Sequence, residues 1–455
     1  MADTSTTLPA AVTQWVEAIG GGRITTLRRH VARREAWIVD VERGVGDTLE
    51  GFLRIQRDAG GPDPRRLERE TRIVEALGRA GIPVPAVHGW NPELRVALFA
   101  RDPGRADLDA VEDATVQRAV LEDFMDAIAE LHALDPAALG LDDVLGPLPT
   151  TPEQTALGAV DEIAGQWDRF LSRYDDPLTI YGLAWLRRFV PQEVARVSLV
   201  QGDTGPVNFM FQGSRVSAII DWETGHWGDP MEDLGNICVR EFYNPCGGLE
   251  GLFERWAAHT GFPYTRFAAQ YYAVHQNVRG MIPIHVVCHH AHATESLAAY
   301  LCYRYVGDRA TAEMLAAAMQ IPIERPELPD EDSGDDDLLA QAALHNLSHD
   351  ITPALSDPFA RSRARDTATL VACIDRRRRY GDRVASLECD DLGALLGRRP
   401  ADRESGTRAL CEALREGRLP DDAVIPYLAR RAYRDEWLHA PSTVLYPDRV
   451  WSPID

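Results

Sequence analysis

The sequence lacks any long run of apolar residues. No stretch of about 18 consecutive apolar residues occurs in the 455-residue chain, so no segment predicts a membrane-spanning helix. The N-terminal residues contain no basic region followed by an apolar stretch, so no secretion signal is predicted either. We therefore expect a cytoplasmic protein that has no membrane partner.

Positive charge is also scarce. The chain has 48 lysines and arginines against 70 aspartates and glutamates, which gives a formal net charge of −22. Such a chain repels a polyanion unless its basic residues are gathered in one patch, so nucleic acid is not expected as a partner. The same acidity would suit a cationic substrate, although many enzymes are acidic for solubility alone, and we prefer the second interpretation.

Paired cysteines are absent. The seven cysteines are scattered, odd in number and without any Cys-x-x-Cys spacing, which favours a reducing compartment over a disulfide framework. His285, Cys288, His289 and His292 share one face of a predicted helix and in principle could chelate zinc. No second pair with ligand spacing accompanies them, so a helix packed in the core is the preferred interpretation.

The first hundred residues combine strands with a helix. Alternating apolar residues predict strands at 24–30, 36–42 and 49–56, and two shorter ones near 86–90 and 95–100. Between these two groups, Asp63 is predicted as the N-cap of a helix and Pro64 as its first residue.

Helical spacing dominates the rest of the chain, and a strand–turn–strand pattern interrupts it near residue 210. An acidic segment with almost no apolar residue predicts a solvated linker, and four or five helices are predicted after it. The predicted domains are a β-rich lobe at 1–101, a helical lobe at 102–326, the linker at 327–337, and a helical domain with its tail at 338–455.

The strand–turn–strand pattern brings polar residues together. The strands at 209–211 and 216–220 form a hairpin that folds Asp221 back toward Asn208. Asp203, in a glycine-containing loop, is a candidate base for an attacking hydroxyl, and Asn208 and Asp221 offer oxygen ligands to Mg2+. Taken alone, an aspartate and an asparagine in a loop more often cap a turn or a helix.

Three motifs in this region resemble those of the aminoglycoside phosphotransferase and choline kinase-like family. Residues 201–208 match its His-Gly-Asp-x-x-x-x-Asn motif, residues 220–223 match Ile-Asp-Trp-Glu, and residues 228–234 match Gly-Asp-Pro-x-x-Asp-Leu. The resemblance covers about residues 20–320 and implies an α+β, two-lobed protein kinase-like fold. It also implies a small-molecule kinase that uses ATP and Mg2+ to phosphorylate a hydroxyl group. With three motifs in order, the catalytic interpretation of Asp203 and Asp221 is favoured over capping.

One position departs from the family pattern. Gln201 stands where the family most often has histidine. A glutamine amide can donate and accept hydrogen bonds in similar directions, so we expect activity to survive. If the histidine were a proton relay, the alternative would be a nucleotide-binding pseudokinase that acts as a scaffold.

The resemblance also implies where the nucleotide binds. Arg54, on a strand, matches the base that holds the nucleotide phosphates, and Glu70, on the following helix, matches the carboxylate that positions this base. Adenine is expected near Phe99 and Arg101, in the segment that joins the lobes. The alternative is an exposed Arg54 and a Glu70 that pairs with an arginine of its own helix.

The substrate class follows from the branch of the family. The Leu-Arg sequence that ends in Arg54 and the C-terminal helical domain resemble the hydroxyacyl-CoA kinase-like branch, which implies a coenzyme A thioester as the hydroxylated substrate. An aminoglycoside or an amino alcohol is the alternative. Residues 376–379, four arginines in a row, could bind the phosphates of coenzyme A, but a solvated helix face is preferred. The oligomeric state is not predicted.

Overall fold

The computed structural model describes residues 7–30, 35–57, 63–290, 296–331, 337–446 and 449–452. These residues form two compact units. The first contains the described residues up to Gly158 and those from Pro191 to Tyr272, and the second contains Ala159–Val190 and the described residues from Ala273 onward. The predicted domain limits after residues 101, 326 and 337 stay a prediction.

The N-terminal part has α1 (Ala10–Gly20), β1 (Arg23–His30), β2 (Ala36–Gly44), β3 (Asp47–Ile55), α2 (Arg66–Ala80), β4 (Val87–Asn91) and β5 (Val96–Ala100). The middle part has α3 (Ala114–Ala133), α4 (Pro136–Leu139), α5 (Asp142–Leu145), α6 (Pro152–Gln166), α7 (Asp168–Leu171), α8 (Pro177–Arg188), β6 (Ser198–Val200), β7 (Phe209–Gln212), β8 (Arg215–Ile219), β9 (His226–Gly228), α9 (Pro230–Tyr243), α10 (Leu252–Thr260) and α11 (Arg266–His290). The C-terminal part has α12 (Leu297–Met319), α13 (Leu338–His345), α14 (Thr352–Ala354), α15 (Pro358–Leu396), α16 (Arg403–Arg415) and α17 (Asp421–Leu438).

A five-stranded antiparallel sheet, in the order β1-β2-β3-β5-β4, forms the N-terminal part of the first unit. Trp37, Val39 and Val41 alternate along β2 and are buried, because successive side chains of a strand point to opposite faces. They share one hydrophobic core with Val12 and Val16 of α1. The predicted strands are confirmed, each within two residues of its predicted limits.

The start of α2 differs from the prediction. The helix begins at Arg66, and Arg65 rather than Asp63 is its N-cap residue. The Asp63 carboxylate accepts a hydrogen bond from the Arg65 backbone N–H at 3.2 Å and pairs with Arg69 at 2.5 Å. Asp63 and Pro64 therefore form the turn that precedes the helix, so the prediction of Asp63 as N-cap is wrong by two residues.

Long helices dominate the second unit. Its helix α17 packs against both α12 and α15, and α16 packs against α8. A six-residue π-helical segment, Asn346–Ile351, lies between α13 and α14. In the part of the chain that the structure describes, no helix is both long and apolar enough to cross a membrane.

A buried carboxylate joins α15 to α16 and α17. Glu388 is completely buried; it accepts hydrogen bonds from the Tyr427 hydroxyl at 2.9 Å and from Arg431 at 2.5 Å, and Arg403 lies 3.1 Å away. Replacing Glu388 by alanine would remove the nearest carboxylate of Arg431, whose distance to Asp435 is 3.9 Å, and would leave the buried Tyr427 hydroxyl without its acceptor. We expect Glu388→Ala to lower the free energy of unfolding by about 3–5 kcal/mol in urea denaturation.

The matched control for this change is Glu404→Ala. Glu404 lies on α16, its side chain is 82% exposed, and it pairs with Arg408 at 3.6 Å. An exposed pair of this kind contributes less than about 1 kcal/mol. Equal losses of stability in the two variants would contradict the interpretation of Glu388 as a buried ion-pair centre.

Candidate active site

The loop between β6 and β7 carries Asp203, and its shape is fixed by two features. Gly202 has φ +77°, and a Cβ there would lie 2.6 Å from the Thr224 carbonyl oxygen, so only glycine fits. The Asp233 carboxylate accepts hydrogen bonds from the backbone N–H groups of Gln201 at 2.9 Å and Gly202 at 3.0 Å. These contacts fix the loop through its backbone. The Asp203 side chain takes no part in them.

Asp233 is itself held by a buried histidine. The Trp256 indole N–H donates to His132 Nδ1 at 3.0 Å, so this ring nitrogen is an acceptor. The other nitrogen, Nε2, then carries the proton and donates to Asp233 Oδ2 at 3.1 Å. Because His132 and Asp233 are completely buried, this chain of hydrogen bonds supports the loop from within the core.

Asp203 and Asn208 contact each other directly. The Asn208 amide Nδ2 donates to the Asp203 backbone carbonyl at 2.6 Å and to its carboxylate Oδ2 at 3.0 Å. These two bonds fix the orientation of the amide and turn its carbonyl oxygen away from the carboxylate. The Oδ1 atom of Asn208, which faces away from Asp203, is thus the oxygen that can serve as a ligand.

The hairpin formed by β7 and β8 places Asp221 beside Asn208. Phe209 lies opposite Ile219, and the Ile220 N–H donates to the Asn208 carbonyl at 3.0 Å. Asp221 follows immediately, with φ +62° in the left-handed region, and its side chain is 40% exposed. The structure therefore brings Asp203, Asn208 and Asp221 to one end of the hairpin, where the sequence predicted them.

Gln201 connects the loop to the hairpin. Its Nε2 donates to the backbone carbonyls of Ile220 at 2.9 Å and Asp221 at 3.0 Å, and its Oε1 accepts from the Asp203 N–H at 2.7 Å. The side chain thus donates and accepts, as predicted from the chemistry of an amide. That activity survives this replacement of histidine stays a prediction.

Arg54 of β3 and Glu70 of α2 form an ion pair of 3.2 Å. The Arg54 side chain is 15% exposed and that of Glu70 is 6% exposed, so the alternative of an exposed Arg54 is wrong. The same guanidinium lies 3.8 Å from the Asp221 carboxylate and 3.9 Å from that of Glu223. Arg54 therefore links the sheet to the end of the hairpin, a contact that the sequence analysis did not predict.

Sequence reasoning missed Arg240, on α9. This arginine contacts both carboxylate oxygens of Asp203: its Nε donates to Oδ1 at 3.0 Å, and its Nη2 donates to Oδ2. Arg240 follows Asp233 by seven residues, or about two helical turns, so both face the loop. That spacing after the third motif was the signal available in the sequence.

The start of α9 is fixed by Asp229. This N-cap residue accepts hydrogen bonds from the Met231 N–H at 3.0 Å and from the Tyr272 hydroxyl at 3.2 Å, and Pro230 is the first helical residue. Burial raises the pKa of the Asp229 carboxyl to about 6. The third motif thus sets the position of the helix that carries Asp233 and Arg240.

Phe99 and Arg101, predicted to lie near adenine, lie at the end of β5. Phe99 is buried opposite Phe52 of β3. Arg101 pairs with Asp40 at 2.9 Å and with Glu50 at 2.7 Å. Its charge is therefore compensated by the sheet itself, and a contact of either residue with adenine stays a prediction.

The candidate zinc ligands make other contacts. His285 lies 2.8 Å from the Tyr174 hydroxyl through Nδ1 and 2.8 Å from Asp308 through Nε2. His292 lies outside the described residues. Among those described, no group of three or more histidines, cysteines or acidic residues is arranged to hold a metal ion.

The arginine run at 376–379 is engaged within the second unit. Arg376 donates to Glu331 and to the Trp437 carbonyl, both at 3.0 Å, and Arg378 pairs with Asp375 and Asp337. Through these bonds Glu331 and Asp337, two residues of the predicted linker, are held against α15.

An antiparallel sheet with a β3–α2 ion pair, together with acid and amide groups at the end of a hairpin, defines a kinase-like phosphotransferase architecture. The sequence profile of the phosphotransferase enzyme family matches residues 18–270, which is more than half of the chain. The chain belongs to this family, and the predicted resemblance is confirmed.

A solved structure shows the same fold. A candidate aminoglycoside phosphotransferase from Ralstonia eutropha JMP134 superposes with a TM-score of 0.53 at 21% sequence identity. The superposition covers 66% of this chain and 94% of the other. At this level of identity the match establishes the kinase-like fold alone, and it confirms the predicted fold class.

Curated relatives match over a shorter region. Acyl-CoA dehydrogenase family member 10 of Mus musculus is 24% identical over 218 residues, which are 44% of this chain and 19% of the relative. Acyl-CoA dehydrogenase family member 11 of Gallus gallus is 27% identical over 186 residues, which are 38% of this chain and 23% of the relative. The matches thus span about a fifth of these relatives' length.

Proposed function

We propose that this chain is an ATP- and Mg2+-dependent kinase that phosphorylates a hydroxyl group of a small metabolite. The observation that carries the proposal is the convergence of Asp203, Asn208 and Asp221 at one end of the β7–β8 hairpin. Family membership supports the same reaction class. Phosphoryl transfer requires mainly positioning and charge stabilisation, and this arrangement is suited to both.

The donor set at the hairpin fits Mg2+. This ion is usually held by one or two carboxylates, several waters and the substrate phosphates rather than by a cage of protein ligands. The Asn208 amide oxygen is turned away from Asp203 by the two bonds of Nδ2, and Asp221 presents a partly exposed carboxylate. In this proposal these two residues would hold the ion, and its charge would neutralise phosphate oxygens.

Asp203 is the proposed base. It accepts the hydrogen bond of the substrate hydroxyl, orients its oxygen toward the terminal phosphorus and takes its proton as the new P–O bond forms. The bond between that phosphorus and the oxygen of the leaving nucleoside diphosphate, ADP, breaks in the same step. Arg240, which contacts both oxygens of the Asp203 carboxylate, restricts its rotation and so acts as a positioning residue.

Arg54 and Glu70 serve the nucleotide in this proposal. A guanidinium can donate two parallel hydrogen bonds to phosphate oxygens, and the ion pair with Glu70 limits the directions in which Arg54 can point. Phe99 and Arg101 are the proposed neighbours of adenine. The proposed nucleotide contacts are supported by the family pattern and by the burial of the Arg54–Glu70 ion pair.

A hydroxyacyl-CoA is the proposed substrate class. This class is supported by the names of the curated relatives that match this chain, which are acyl-CoA dehydrogenase family members. The second candidate is a cationic amino alcohol or aminoglycoside, because a net charge of −22 favours binding of cations.

A screen of ADP release over hydroxyacyl-CoAs, amino alcohols and aminoglycosides tests the proposal. We expect turnover with one compound class, and the hydroxyacyl-CoA class first. The control in each well is the same enzyme without acceptor, which measures ATP hydrolysis alone. If the protein binds ATP but turns over no acceptor class, the pseudokinase alternative replaces the proposed function.

A further inference from the structure

The second unit contains a surface cavity of about 590 Å³ beside the π-helical segment. Ser348 comes from this segment, Thr352 from α14, and Arg361, Arg365 and Thr369 from α15. None of these residues takes part in the proposed phosphoryl transfer. The cavity is therefore a separate candidate site, and its chemistry can be derived from its own side chains.

The helix α15 presents a polar row to this cavity. Arg361, Arg365 and Thr369 follow one another at intervals of four residues, so they lie on one face of the helix. On the other side of the cavity, the wider π-helical turn interrupts the regular helical repeat, and such turns are frequent at functional sites. The two helical segments thus enclose a space lined by hydroxyl and guanidinium groups.

The Thr352 hydroxyl belongs to a residue that lines the cavity. Thr352 is 8% exposed, and among the described residues its Oγ1 forms no hydrogen bond. A buried hydroxyl without a partner is destabilising, and most buried polar groups in proteins are hydrogen-bonded. A ligand oxygen in the cavity would supply the missing partner.

Among the residues that the structure describes, no acidic side chain pairs with either arginine of the cavity. Arg361 is fixed by its Nε and Nη2 bonds to the Leu355 carbonyl, at 3.1 and 2.6 Å. Neither Arg361 nor Arg365 forms a salt bridge with a residue that the structure describes, although the chain as a whole is strongly acidic. The nearby Asp366 is engaged by the Ser296 hydroxyl at 2.5 Å, and Asp357 caps the start of α15.

We infer that this cavity binds a phosphomonoester group. Two guanidinium groups match the double negative charge of such a group, and the planar N–H donors of Arg365 suit phosphate oxygens in pairs. The Thr352 hydroxyl supplies a further donor from the opposite wall. The source of the group is either free phosphate or a phosphorylated metabolite such as coenzyme A, and the test separates the two.

Calorimetric titration of the full chain with inorganic phosphate, in a buffer free of other oxyanions, measures the site directly. We expect Arg365→Ala to weaken binding about tenfold or more, because a charge-assisted hydrogen bond is lost. The matched control is Arg383→Ala, which removes an exposed arginine of the same helix, away from the cavity. Equal affinities in the two variants would overturn the inference.

A second variant separates binding from folding. Thr352→Val keeps the shape of the side chain and removes the unpaired hydroxyl, so the melting temperature should stay unchanged or rise while phosphate binding weakens. If Thr352→Val binds phosphate as well as the wild type does, the hydroxyl is not a ligand and the proposed site is wrong.

Coenzyme A and dephospho-coenzyme A identify the source. Tighter binding of coenzyme A in the wild type, lost in Arg365→Ala, assigns the site to the 3′-phosphate of this cofactor. Equal binding of both compounds, with phosphate still bound, assigns it to free phosphate. Absence of binding of all three probes overturns the inference and leaves the proposed kinase reaction untouched, because that reaction is measured by ADP release.

Discussion

Asparagine in place of Asp203 is expected to lower kcat at least about 100-fold, because the proposed base loses the charge that accepts the hydroxyl proton. The side chain keeps its size and its place next to Asn208, so the loop should retain its shape. The KM for ATP should therefore stay within about twofold, since no step of nucleotide binding depends on this carboxylate. Steady-state kinetics with the acceptor found in the ADP-release screen measures both quantities.

The matched control is Asp142→Asn. Asp142 lies exposed on α5 of the same unit and loses its charge in the same way. It should leave kcat and KM unchanged. If Asp203→Asn retains wild-type kcat, Asp203 is not the base, and the contact with Arg240 is then a structural ion pair.

The β-rich part of the fold was predictable because local rules decide it. Trp37, Val39 and Val41 alternate with partly exposed residues along β2, and this alternation alone defines a strand with one buried face. The start of α2 was not predictable in the same way. Asp63 has the right chemistry for an N-cap, but its pairing with Arg69 and its bond to the Arg65 N–H hold it in the preceding turn.

In the candidate site, too, some contacts were predictable from local sequence and others were not. The hairpin that joins Asn208 to Asp221 spans few residues, so the sequence pattern was sufficient to place the two together. The contacts of Arg240 with Asp203 and of Arg54 with Asp221 join residues far apart in sequence. The seven-residue spacing places Arg240 on the same face of α9 as Asp233, but the contacts themselves depend on how α9 and β3 pack around the loop.

Loss of a proposed metal ligand should also lower the activity strongly. Asp221→Ala should lower kcat at least about 100-fold at saturating ATP, because the hard oxygen ligand of Mg2+ is lost. It also removes the carboxylate 3.8 Å from Arg54, so the guanidinium gains freedom to turn toward Glu70 and Glu223. Measuring kcat as a function of Mg2+ concentration separates the two consequences, since only the first alters the metal requirement.

Asn208→Ala should raise the Mg2+ concentration needed for half-maximal activity, with a smaller loss of kcat than Asp221→Ala, because a neutral amide contributes less to a divalent ion than a carboxylate does. Gln212→Ala, an exposed change in the same hairpin, is the matched control and should leave the Mg2+ dependence unchanged. If Asp221→Ala and Asn208→Ala follow the wild-type Mg2+ curve, the ion is held elsewhere. The end of the hairpin would then serve only to hold the loop of Asp203 in place.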